Sequence, residues 1–112
     1  MTTFDAGFHY VLDEHGEPRV ERDILTWGRW FETDERRVVR KQRWTRPDGV
    51  EISVSTVFLG IDHAFGHPQP VLWETMVFVD GEGTDTYRYM SREAAIVGHN
   101  RVVAVEGGKI LE

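Results

Sequence analysis

Asp62, His63, His67 and Glu74 crowd into one short stretch of the chain, and a third imidazole, His99, follows further on. Imidazole and carboxylate groups in such a set suit a divalent ion, with a coordination position left open for water. Without a metal, the same groups form a general acid and base whose pKa values burial tunes. A small metal-dependent or His/Glu-based hydrolase or nuclease would use Glu74, His63 and His99 as catalytic groups. The corresponding metal set would be His63, His99, Glu74 and Asp62, with Asp62 otherwise an orienting carboxylate. No motif reinforces this chemistry. His63 and His67 are four apart, but Gly60, Gly66, Pro68 and Pro70 exclude the helix on which that spacing aligns two ligands. No G-x-S-x-G, P-loop or dinucleotide-binding fingerprint is present. The plainer reading is a Glu74 hydrogen-bonded to a histidine or backbone amide, with His63 and His67 ordering their loop.

These residues need elements to position them. The span 50–80 reads as two long β-strands joined by the histidine loop. Ile52, Val54, Thr56 and Phe58 share one face of the first strand; Val71, Trp73, Thr75, Val77 and Val79 share one face of the second. Glu74 interrupts the other face, among Leu72, Met76 and Phe78. Buried there unpaired, a carboxylate costs several kcal/mol, so it needs a proton, a partner or a metal. Ser91 caps a helix running to about Glu106, which Gly107 and Gly108 end. Ala95, Ile96, His99, Val102 and Val103 form one stripe of that helix. If the stripe packs on the Glu74 face, His99 is the partner of Glu74.

Elsewhere the pattern is as clear. Tyr10–Leu12 and Arg19–Val20 flank a polar turn and predict a short hairpin. Asp23 opens a helix, ILTWGRWFE, with Ile24, Trp27 and Phe31 at spacings of three and four and Trp30 beside them; its rings are expected to pack on the sheet. Arg46-Pro47-Asp48-Gly49 is a turn that pairs the preceding basic segment with the strand opening at Val50. On that segment Arg40, Gln42 and Trp44 face one way, and Lys41 and Arg43 the other. A strand so charged on both faces belongs at a sheet edge. Asp80 to Asp85 reads as a flexible turn before a strand over 86–90. The expected fold is α+β: one domain over residues 1–112, with an antiparallel sheet of about four to six strands packed by a C-terminal helix and a short Trp-rich helix.

A net charge of -6 and a pI near 5.3 argue against a general nucleic-acid binder. The basic run Arg36, Arg37, Arg40, Lys41, Arg43 and Arg46 is the exception. It offers an acidic protein or a nucleic-acid backbone the partner-binding set Arg40, Lys41, Arg43 and Trp44, the indole being free to stack on a base. The chain has no cysteine, which removes disulfides and thiolate zinc sites and makes a reducing cytoplasm the expectation. No stretch nears the ~18 apolar residues of a membrane span. No cofactor is expected beyond a divalent ion, and self-association is compatible with the pattern.

The segments TWGRWFE, VSTVFLGIDHAFG, LWETMVF and YRYMSREAAIVGH together resemble a group of small proteins of actinobacteria and especially of their bacteriophages. The resemblance spans about Tyr10 to Val103, is most specific in STVFLGIDH and ETMVF, and departs from the group over Arg36 to Arg46. It implies a setting, a phage or prophage and the cytoplasm of its host. In that setting a small acidic protein is expected to act as an accessory module that binds a host protein rather than as an enzyme.

Overall fold

The structure, a computed structural model, describes residues 9–62 and 68–111. His63 and His67 lie outside the described residues. The fold is α+β, a four-stranded antiparallel sheet and a two-stranded one with two helices.

Tyr10–Leu12 (β1) and Pro18–Val20 (β2) form the small hairpin. Asp23 caps Ile24–Thr33 (α1), its carboxylate accepting from Leu25 N. No residue of α1 is fully buried, and Ile24 is half exposed instead of lying against the core with the rings. The rings do pack inward. Trp30 meets Phe58 edge-on at 5.8 Å, Phe58 meets Trp73 at 5.3 Å, and Trp27 stacks on Phe31 at 5.0 Å. The Trp27 indole donates to the carbonyls of Tyr10 and Gly60, which ties hairpin, helix and sheet together at one point. Gly60 adopts φ 75°, and a side chain there would press on Phe31 and Trp27, so two requirements select glycine.

The main sheet has the order β3-β4-β5-β6, from Val38–Thr45, Glu51–Phe58, Trp73–Val79 and Glu82–Tyr89. The β3–β4 turn is the expected one: Gly49 stands at φ 88° and Asp48 accepts from Val50 N. The β5–β6 turn is tighter than expected. Asp80 and Gly81 both have positive φ, which makes a two-residue connection, and β6 begins at Glu82 where a flexible turn was anticipated. Asp-Gly is the pair best able to occupy two left-handed positions in succession, and this lengthens the strand.

Ser91 caps Arg92–Val105 (α2) through Ala94 N, and Gly107 at φ 88° ends it. The helix lies across the sheet on the face carrying Ile52, Val54, Thr56, Thr75 and Val77, all fully buried. Its buried residues are Ala95, Gly98, His99, Val102 and Val103. Gly98 is there because the Tyr89 ring occupies the space a β-carbon would take. The opposite sheet face, with Lys41, Arg43, Ser53, Ser55, Glu74, Met76 and Phe78, carries no helix among the described residues. No described helix is long and apolar enough to cross a membrane.

Candidate functional site

His99 is sealed between α2 and the sheet, with no exposed surface. Its Nε2 lies 2.7 Å from Gln42 Oε1, and its Nδ1 2.7 Å from the Thr56 hydroxyl, which in turn bonds Thr75 Oγ1. The proton positions follow by elimination. Gln42 Nε2 donates to the Lys109 carbonyl at 2.9 Å, so Gln42 Oε1 faces the ring as an acceptor. His99 Nε2 therefore carries the hydrogen, Nδ1 accepts from Thr56, and Thr56 accepts from Thr75. Burial, and secondarily the charge of Arg40, lower the His99 pKa to about 4, which holds the ring neutral. Both nitrogens are committed, and neither is open to a metal or substrate.

Glu74 is on the other side of the sheet. Side chains alternate along β5, so the placing of Thr75 under α2 turns Glu74 to the open face. It pairs across the strands with Arg88, Nε to Oε2 at 3.0 Å. The expectation that His99 would partner Glu74 is thereby corrected: α2 packs on the face away from Glu74, because Ile52, Val54 and Val77 on that face form one apolar cluster with Val102 and Val103 of the helix. Asp62 is buried and accepts from Val71 N at 2.9 Å, and its charge adds to burial in raising the Tyr10 pKa. Thus the described members of the proposed metal and catalytic sets, Asp62, Glu74 and His99, occupy three different settings. Among the described residues no group of three or more His, Asp or Glu is placed to hold one ion.

The basic run divides by task. Arg36 grips Asp34 through two nitrogens and donates to the carbonyls of Leu12 and Asp13, fastening the β1–β2 hairpin; that contact holds the Asp34 pKa at about 2. Arg37 lies 4.1 Å over the Phe31 ring. Arg46 pairs with Glu106 at the end of α2. Arg40 donates to Asn100 and to the Leu111 carbonyl. Trp44 is covered by Gly108, where an added β-carbon would stand 2.6 Å from the indole. Of the set Arg40, Lys41, Arg43 and Trp44, the structure therefore sends Arg40 and Trp44 under the chain end and leaves Lys41 and Arg43 on the open face. A base stacked on Trp44 beside those two cations is ruled out by the intervening sheet.

Among the described residues, three concave regions stand out. One, about 810 Å3, lies between the hairpin and the start of α2 on a floor of Leu12, Leu72 and Trp73. Its rim mixes Glu17 and Glu93 with Arg36 and Arg92, and Arg36 is already spent on the hairpin. A groove of about 540 Å3 runs between the outer edge of β6 and α2, lined by Tyr87, Tyr89, Gly98, Arg101, Val102 and Val105. Tyr87 is 44% exposed and Val105 76%, large side chains turned to solvent at a sheet edge with no further strand among the described residues. A third, about 360 Å3, lies on the open sheet face.

No protein-family model matches the chain, and neither the curated proteins nor the solved structures yield a significant match.

The β6–α2 groove was missed in the sequence because its halves lie apart and only the fold joins them. A signal was present nonetheless. The segment Glu82–Tyr89 holds no lysine or proline, and Val97 and Val105 put apolar side chains on the side of the last helix away from its buried stripe.

Proposed function

We propose that this chain is a non-enzymatic accessory module that binds a protein partner, receiving an extended segment of that partner along β6. The observation that carries the reading is the contrast between the two edges of the sheet. Both edge strands carry a bulge and charged residues, but β3 is tied by Arg40 and Gln42 to the chain end that follows α2. β6 has eight residues, seven of them exposed, with no strand on its outer edge among the described residues, and a groove beside it lined in part by Tyr87, Tyr89, Val102 and Val105. An unpaired edge flanked by a helix is how several recognition domains take a peptide: main-chain hydrogen bonds give affinity, and the groove reads alternate side chains. The resemblance to phage proteins supports a partner belonging to the host, met in its cytoplasm.

Two of the candidate catalytic groups are engaged in structure, His99 with Thr56 and Gln42, Glu74 with Arg88. The deciding experiment is capture from an actinobacterial lysate on immobilised wild type and on Tyr87→Asp and Val105→Asp variants. Both positions are exposed, so the fold is retained while charge enters the groove. Wild type should retain a partner that each variant loses by at least tenfold. Equal capture by all three, or none by wild type, refutes the reading.

A further inference from the structure

On the open sheet face, strand register sets Lys41 directly opposite Ser55 and Arg43 directly opposite Ser53. Opposed residues stand roughly 5 Å apart, and neighbours on one face of a strand roughly 7 Å apart. Two cations and two hydroxyls therefore share a patch about the size of one side chain. Lys41 and Arg43 have no hydrogen bond or ion pair with any described residue, unlike Arg36, Arg40 and Arg46. In the next strand Met76 pairs with Ser55 and Phe78 with Ser53, both half-buried and covered by nothing among the described residues. The low serine column leaves a groove between the taller cation and Met/Phe columns, the 360 Å3 concavity lined by Lys41, Arg43, Ser53, Ser55 and Phe78.

We infer that this groove binds an extended acidic peptide segment, a carboxylate over Lys41 and Arg43 and an aliphatic or aromatic side chain over Met76 and Phe78. The donors call for an anion, and the guanidinium of Arg43 suits a carboxylate bidentately. The patch is also bounded. Glu51 lies at its Arg43 end, and Glu74 stands next to Met76 on the same face. A nucleic-acid strand, charged at every nucleotide, would run into those carboxylates and into the -6 charge of the whole chain. A peptide with one or two local carboxylates beside an apolar residue meets that field with far less charge and can set its carboxylates clear of Glu51 and Glu74. The inference rests on the reading of the chain as a protein-binding module, but on a different face from the β6 groove.

The test is fluorescence anisotropy with a fluorescein-labelled octapeptide, Thr-Glu-Thr-Leu-Thr-Glu-Thr-Leu, at low salt, compared with its Gln analogue and with a labelled ten-nucleotide thymidine strand. Wild type should bind the octapeptide at least tenfold more tightly than either comparator. Charge reversal in Lys41→Glu/Arg43→Glu should cost at least tenfold, and Phe78→Ser several-fold, with circular dichroism unchanged. Tyr87→Asp, which blocks the β6 groove, should bind as wild type does, and this separates the two surfaces. The inference is overturned if wild type does not bind the octapeptide, if the charge-reversed variant binds it equally, or if the thymidine strand binds more tightly.

Discussion

Acidification should strike this protein through His99 as soon as the pH falls below about 6.5. In the folded chain the His99 pKa is about 4, against 6.5 when unfolded. Above pH 6.5 the ring is neutral in both states and contributes no pH dependence. Between 6.5 and 4 the unfolded chain takes up a proton that the folded chain refuses, so stability falls as pH falls, and the loss levels off below about 4. At about 1.4 kcal/mol for each tenfold change in proton affinity, the whole loss is roughly 3 kcal/mol, most of it reached by pH 4.5. That is a large part of the ~5–15 kcal/mol that holds a domain of this size together. The lowered carboxylates act elsewhere: Asp34, held at about 2 by Arg36, loses its contribution only below its ordinary 3.8. Urea unfolding followed by tryptophan fluorescence at pH 7.5, 6.5, 5.5 and 4.5 measures the effect, and His99→Gln isolates it. Wild-type stability should drop over this range while the variant, less stable at pH 7.5 because Thr56 and Gln42 lose a partner, has a flatter profile. A histidine NMR titration giving His99 a folded pKa near 6.5, or wild-type and variant profiles of equal slope, would refute the reasoning.

Gly98→Ala should lower the urea midpoint by an amount equivalent to about 1–2 kcal/mol, because the displaced Tyr89 ring costs more than the ~1 kcal/mol of helix propensity alanine brings. Glu74→Gln should change stability by less than about 1 kcal/mol, since solvent around the exposed Arg88 screens the pair although Glu74 is largely covered, and the amide oxygen still accepts from Arg88 Nε. A loss above 3 kcal/mol would mean that Glu74 has a buried role. Trp27→Phe should cost about 1–3 kcal/mol, as the Tyr10 and Gly60 carbonyls lose their shared donor, and hydrogen exchange at Tyr10 N should speed up with it. Arg36→Ala should leave the main sheet intact but loosen the hairpin, read as faster amide exchange at β1 and β2 alone.

Much of the fold was written in local pattern. Asp23 and Ser91 as caps, the Pro-Asp-Gly turn, the alternation of β4 and β5 and the glycines after α2 each act on a few neighbouring residues, and each stands where sequence put it. Even the division of the basic strand into Arg40 and Trp44 against Lys41 and Arg43 follows from a period of two. Where a local rule has two outcomes, sequence does not choose between them: Asp80-Gly81 could open a loose turn or close a tight one, and the strand pairing on both sides selects the latter.

The chemistry of the site depended on something no local pattern contains. Sequence alone showed that Glu74 interrupts one face of its strand and that His99 lies on the buried stripe of the last helix. Which sheet face that helix covers is decided by the summed area of Ile52, Val54, Val77, Val102 and Val103, contributed from three separate elements, against a face broken by Ser53, Ser55 and Glu74. Once the helix settles on the more apolar face, His99 meets Thr56 and Gln42, Glu74 is left to Arg88, and the β6–α2 groove and the serine groove come into being together. Apolar burial is additive over distant residues, whereas caps and turns are local. For this reason sequence could name the elements, and only tertiary packing could say which side chains meet.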